Sequence, residues 1–273
     1  MSVLPPSAQA FPAAGTGALR VEGLGIGFGG VRVVQDLAFD VGDGEIISLI
    51  GPNGAGKTTV LNCVGGLIRA QRGSIHYAGR DLIGMPAHAR ARLGIGRTFQ
   101  NLHIFGGMTA MENLLVAQHT RIRTGLFHDL LKLPARGEER RAREHARDLL
   151  GRLDLGPVSD VRADTLPFGQ QKMLGVARCL AFGPRLVLLD EPAAGLNQGE
   201  AQALGAFIRS LRTWYGDGRV AVLLVEHNMG VVMRISDRVI VLTGGTKLAE
   251  GPPEEVRRLP RVIEAYLGPT GEV

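Results

Sequence analysis

The 273-residue chain lacks the features that would place it outside the common soluble fold classes. No apolar run approaches the ~18 residues that a membrane-spanning helix needs. The longest runs, such as Val220–Val225 and Leu186–Leu189, have the length of strands, so any membrane role is expected to be peripheral. Only two cysteines are present, Cys63 and Cys179, and both fall in expected helices. Two cysteines make no disulfide framework, which points to a reducing cytoplasm and to small buried apolar side chains. Charge of one sign is also scarce: the net charge is only +5. The densest basic stretch, Arg121 to Arg152, mixes its arginines with acidic residues, as a solvated helical face does. No nucleic-acid partner is expected. Residues 1–18 carry no charged side chain, and Pro5, Pro6 and Pro12 interrupt their apolar character. They read as a disordered extension rather than a secretory signal.

What is present is a succession of strand and helix patterns. Val21–Leu24, Val31–Val41 and Ile46–Ile50 read as strands, with turns at glycines and at Asp43-Gly44. A helix is expected from Gly56 to about Gly65, and Ser74–Tyr77 with Ala78-Gly79-Arg80 reads as a hairpin edge. Residues 101–180 are mostly helical by apolar period, as at Met111, Leu114, Leu115 and then Leu149, Leu150, Leu153. Strand–helix alternation returns with Leu186–Leu189, a helix over 199–213, Val220–Val225, a helix near 229–234 and Val239–Leu242. Such alternation predicts an α/β fold with a mainly parallel sheet, interrupted by an inserted helical subdomain and closed by a helix near 261–267.

Gly51-Pro52-Asn53-Gly54-Ala55-Gly56-Lys57-Thr58 follows an apolar strand and opens a helix, the context a phosphate-binding loop requires. Its glycines let backbone N–H groups curl around phosphate oxygens, and the helix N-terminus adds a favourable dipole. Lys57 is expected on the β and γ phosphates, Thr58 on Mg²⁺ and Thr59 on the α phosphate. Downstream, the apolar strand Leu186–Leu189 delivers Asp190 and Glu191 at its C-terminal end, where α/β sheets hold ligands. Asp190 suits Mg²⁺ and Glu191 suits a general base for water. An acidic pair at a strand end also serves as a helix cap, and the pair alone does not separate the two readings. Gly25-x-Gly27-x-x-Gly30 mimics a dinucleotide fingerprint, but β-branched Val31, Val33 and Val34 follow it where a helix would be needed.

Between loop and carboxylates stands Leu166-Pro167-Phe168-Gly169-Gln170-Gln171, a glycine–glutamine turn that opens a helix. This order of motifs resembles the ATP-binding cassette ATPases, a subset of the P-loop NTPases with an antiparallel β region at the N-terminal side. The resemblance covers residues 19 to about 267. It implies that Gly169 and Gln170 present N–H groups to the γ phosphate of a partner subunit. Pro167 stands where the family carries a serine, so the role falls on Gly169, Gln170 and the backbone. The resemblance further implies that Gln100 reaches Mg²⁺ and the attacking water, and that His227 is the switch histidine on the γ phosphate. By the same resemblance Asn197 would lie in the family's dimer-contact loop, where aspartate is commoner. Phe28 would stack on adenine or sit in the core.

The implied layout is a core over 19–100 and 181–255, a helical subdomain over 101–180 and a terminal helix and tail over 256–273. Within the family, Arg97–Asn101, Met108–Val116, Asp190–Asn197 and Ile263–Gly268 look most like the longer ATP-binding subunit of branched-chain amino acid importers. The basic insertion at roughly 119–160 is similar. This implies a cytoplasmic engine on the inner face of the cell membrane, using ATP and Mg²⁺. Its partners would be two membrane permease subunits, a sister ATP-binding subunit or itself as a dimer, and indirectly an extracytoplasmic substrate-binding protein. A urea or amide importer, or a soluble non-transport ATPase, remains the alternative.

Overall fold

The computed structural model describes residues 19–98, 104–118 and 136–267. The expected extension over 1–18, Gln100, much of the basic insertion and the tail beyond Leu267 lie outside these residues. The chain divides into a core unit, Ala10–Gln100 with Arg185–Val273, and a helical unit formed chiefly by Asn101–Pro184.

The core unit is α/β. Strands β1 (Leu19–Phe28), β2 (Val31–Val41), β4 (Arg72–Tyr77) and β5 (Arg80–Asp81) form an antiparallel sheet in the order β2-β1-β4-β5. Gly29 and Gly30, both at positive φ, make the two-residue turn joining β1 to β2, so the glycine-rich stretch is a hairpin and not a dinucleotide loop. β1 runs well beyond the Val21–Leu24 read from sequence. Register shifts around Gly23, Gly25 and Gly27 break its two-residue alternation, and Gly23 takes φ 59°, as a bulge permits.

The second sheet has the order β10-β9-β3-β8-β7-β6, made of β3 (Ile46–Ile50), β6 (Ile95–Arg97), β7 (Leu186–Asp190), β8 (Ala221–Val225), β9 (Arg238–Thr243) and β10 (Thr246–Gly251). All neighbours are parallel except β9 and β10. Every residue of β3, β7 and β8 is buried, which is why these strands read as unbroken apolar runs. Helix α1 (Lys57–Gly65) places Val60, Leu61, Cys63 and Val64 in a core shared with both sheets. It ends at Gly66, φ 80°, whose N–H returns to the helix carbonyls. Arg90, on the short helix α2 (Ala87–Arg92), is 3% exposed and donates to the Cys63, Val64, Leu82 and Met85 carbonyls, covering acceptors that the helix end leaves open.

The helical unit holds α3 (Ala110–Gln118), α4 (Arg136–Arg152) and α5 (Phe168–Ala181). Met111, Leu114, Leu149, Leu150 and Leu153 are buried there, along the apolar period seen in sequence. On α4, Glu139, Glu144 and Asp148 pair at one-turn spacing with Arg143, Arg140 and Arg152, which makes this basic run a solvated face. The core unit continues beyond β7 with α6 (Gln198–Trp214), α7 (Met229–Ile235), α8 (Pro253–Val256) and α9 (Pro260–Leu267). Among the described residues no helix is long and apolar enough to cross a membrane. Both cysteines are free and buried; burial pushes the Cys63 thiol up to about 11 and Cys179 to about 12.

Candidate functional site

Three parallel strands end side by side at the site. After β3 the chain turns through Gly51 at φ 148°, where a Cβ would stand 2.1 Å from the Leu242 carbonyl oxygen. Only glycine lets the loop leave so close to β9. Gly54 and Gly56 follow at φ 80° and 95°, and Gly56 precedes the first residue of α1. Pro52, Asn53, Gly54 and Ala55 form the crown of the loop, with Asn53 and Gly54 exposed and Ala55 N–H donating to Pro52. Lys57 is 6% exposed and its ammonium donates to the Gly51 and Pro52 carbonyls at 2.8 and 2.9 Å. Burial lowers its pKa, opposed by the charges of Glu191 and Asp190. Thr58 and Thr59 follow on the first turn, both half-buried.

Asp190 ends β7 and is 2% exposed. The Thr58 hydroxyl approaches its Oδ1 at 3.4 Å, and the Arg97 guanidinium lies 3.3 Å from its Oδ2. Burial raises the carboxyl pKa, Arg97 opposes that rise and Glu191 adds to it. No helix begins at the acidic pair; the next one starts at Gln198, so the helix-cap reading of Asp190 and Glu191 fails. Glu191 takes a left-handed backbone, φ 48°, a conformation costing a non-glycine residue roughly 1–2 kcal/mol. Its N–H donates to Val225 at 2.8 Å, and its Oε1 lies 2.7 Å from Nε2 of His227, just beyond β8.

Asp190 and Thr58 offer hard oxygen donors, one of them anionic, 3.4 Å apart. That chemistry fits Mg²⁺, which takes oxygen ligands and leaves positions for phosphate and water. Thr58, Asp190, Glu191, His227 and Lys57 thus stand together in the core unit. Phe28 is 50% exposed at the end of β1, which excludes it from the core. Asn197 is the N-cap of α6, with Oδ1 accepting from Glu200 and the Glu200 side chain accepting from Asn197 N–H, a reciprocal capping box. Gly169 and Gln170 lie in the first turn of α5, on the helical unit, with Pro167 as its N-cap. Gln100 lies outside the described residues.

Two site residues have no signal of their own in the sequence. Arg97, on β6, reaches Asp190, Asn62 Oδ1 at 2.6 Å and the Leu61 carbonyl at 3.1 Å. Gly65 admits it, since a Cβ there would meet Arg97 Nη1 at 2.9 Å. Glu226, between β8 and His227, is 2% exposed and accepts from three backbone N–H groups, those of Ala193, His227 and Asn228. A lone arginine before a threonine, and a glutamate before a histidine, form no spacing pattern.

Comparisons with known proteins agree with this geometry. A family model described as "ABC transporter" matches residues 34–194, and one described as "Branched-chain amino acid ATP-binding cassette transporter" matches residues 246–268. The chain is 47% identical to the high-affinity branched-chain amino acid transport ATP-binding protein BraF of Pseudomonas aeruginosa, covering 92% of this chain and 97% of that protein. It is 45% identical, with the same coverage, to the high-affinity branched-chain amino acid transport ATP-binding protein LivG of Escherichia coli K12. Among solved structures it matches the ADP conformation of MJ1267, an ATP-binding cassette of an ABC transporter, with TM-score 0.79 and 28% identity over 93% of this chain and 100% of that one.

Proposed function

Because the chain belongs to the ATP-binding cassette transporter family, we propose that it is the ATP-hydrolysing subunit of an importer of branched-chain amino acids. The observation that carries the cargo class is the second family match, over residues 246–268, together with the names of the relatives that match nearly end to end. Hydrolysis itself is supported by the gathering of Lys57, Thr58, Asp190, Glu191 and His227 at the C-terminal ends of adjacent parallel strands.

In the proposed cycle the loop Gly51–Thr58 wraps the phosphates and Lys57 exchanges its two carbonyl partners for phosphate oxygens. Thr58 and Asp190 hold Mg²⁺, with Gln100 as a further ligand, and Thr59 binds the α phosphate. The ion's chemistry is to neutralise charge developing on the phosphates. Glu191 accepts the proton of the attacking water, and His227, 2.7 Å from it, contacts the γ phosphate. Phe28 stacks on adenine. Gly169 and Gln170 close on the nucleotide held by a partner copy or sister subunit, with Asn197 in the loop between them. Two permease subunits anchor the engine to the inner face of the membrane, and ATP drives transport by binding the closed dimer more tightly than the open one.

Uptake of labelled leucine by cells lacking this chain tests the reading. Wild type restores uptake and Glu191→Gln, which removes the base, does not, lowering turnover by at least about 100-fold. Unchanged uptake in the deletion strain, with no redundant importer present, overturns the cargo and moves it to urea or short amides. Turnover of Glu191→Gln at the wild-type rate overturns the general-base assignment.

A further inference from the structure

We propose that Glu226 is a positioning residue that binds the turn carrying Glu191 to the backbone of His227, so that both side chains meet the nucleotide as one piece. The proposal rests on the ATPase reading of Glu191 and His227 and adds the part that aligns them.

The geometry forms a closed ring. β7 and β8 run parallel with Asp190 opposite Val225, so the chain segments beyond them leave the sheet as neighbours. Two links then join these segments. Glu191 N–H donates to the Val225 carbonyl at 2.8 Å, and Ala193 N–H donates to Glu226 Oε1 at 2.7 Å. Glu191 stands between these links in its left-handed backbone. The other carboxylate oxygen, Oε2, accepts from His227 N–H at 2.8 Å and Asn228 N–H at 3.0 Å. The ring closes where His227 Nε2 meets Glu191 Oε1 at 2.7 Å. One carboxylate, 2% exposed, therefore sets the backbone on both sides of the contact between the two catalytic side chains.

Both oxygens must be acceptors for this to work. A glutamine of the same size keeps one acceptor and turns an NH₂ toward N–H donors on the other side, leaving buried donors unpaired. An aspartate keeps both acceptors but, one methylene shorter, holds the Ala193 and His227 N–H groups less closely.

The test is a double-variant cycle on the chain assembled with its membrane subunits. Steady-state kcat and KM for ATP and the thermal midpoint are measured for wild type, Glu226→Gln, Glu226→Asp, His227→Ala and Glu226→Gln/His227→Ala, with Glu191→Gln as reference. Glu226→Gln is expected to lower kcat by about tenfold or more with KM within about threefold, and to cost less than about threefold when His227 is already alanine. Glu226→Asp falls between it and wild type. A kcat for either Glu226 variant within about twofold of wild type overturns the proposal, as does an equal loss with and without His227, which marks a merely structural role. Glu191→Gln turning over at the wild-type rate refutes instead the general-base assignment beneath it, and a wild type without ATP turnover refutes the ATPase reading.

Discussion

The least conspicuous residue of the site is Arg97. Its side chain is 9% exposed and its guanidinium faces Asp190, itself 2% exposed, and also reaches Asn62 and Leu61. Burial lowers the pKa of the arginine and raises that of the carboxyl, and each charge offsets the other's cost. Removing one partner of such a pair strands the other, a loss of about 3–5 kcal/mol. Arg97→Met is therefore expected to shift urea denaturation by about that amount. It should also remove the charge that opposes protonation of the buried Asp190, so that a thermal shift caused by ATP with Mg²⁺ shrinks toward the shift caused by ATP in chelator. A variant as stable as wild type, with both shifts intact, would remove Arg97 from the support of Asp190. Lys57, Thr58, Asp190 and Glu191 were legible because the phosphate loop and the strand-end carboxylates have fixed spacing. Arg97 and Glu226 were not, because their partners are separated in sequence and met only through the pairing of β6 with β7 and β7 with β8.

At the scale of elements, the start of α6 is fixed by one residue. Asn197 caps this helix through its bond from Glu200, and it also stands in the proposed dimer loop. Asn197→Ala is expected to cost about 1 kcal/mol in denaturation, and Asn197→Asp to stay within about 0.5 kcal/mol of wild type because aspartate caps equally well. Equal stability of all three would mean that the capping box contributes nothing measurable. The strands β3, β7 and β8 were readable as unbroken apolar runs buried on both faces, α1 because the phosphate loop opens a helix, and α6 and α7 through the alternation of helices with strands. Others were not. β6 is only Ile95-Gly96-Arg97, and β10 is the largely polar Thr246–Gly251 at a sheet edge, held by its pairing with β9. α2 carries alanines alternating with His88, Arg90 and Arg92 and no apolar stripe, and Arg90 is its one buried residue. In β1 the glycine-centred bulges hide the extended pairing.

For the whole molecule, the proposed engine needs a membrane partner that its own described helices do not replace. Expressed alone, the chain is expected to stay in the supernatant of a membrane sedimentation, and to pellet with membranes once the permease subunits are co-expressed. A chain that instead travels with ribosomes would sink the importer reading. The order of the central sheet has a further consequence, for the chain's own birth. β3 lies between β8 and β9, yet both are encoded far downstream, beyond the whole helical unit. A ribosome that has released Ile50 must extend the chain past Ala221 before β3 meets its first partner strand. At about 5–20 residues per second that delay is on the order of 10–30 s. Throughout it, the apolar segment Ile46–Ile50 and the phosphate loop behind it emerge from the exit tunnel without a sheet to join. Nascent chains stalled before Ala221 should thus be clients of ribosome-bound chaperones, and synthesis speed, as much as composition, should govern how much of this protein reaches its folded state.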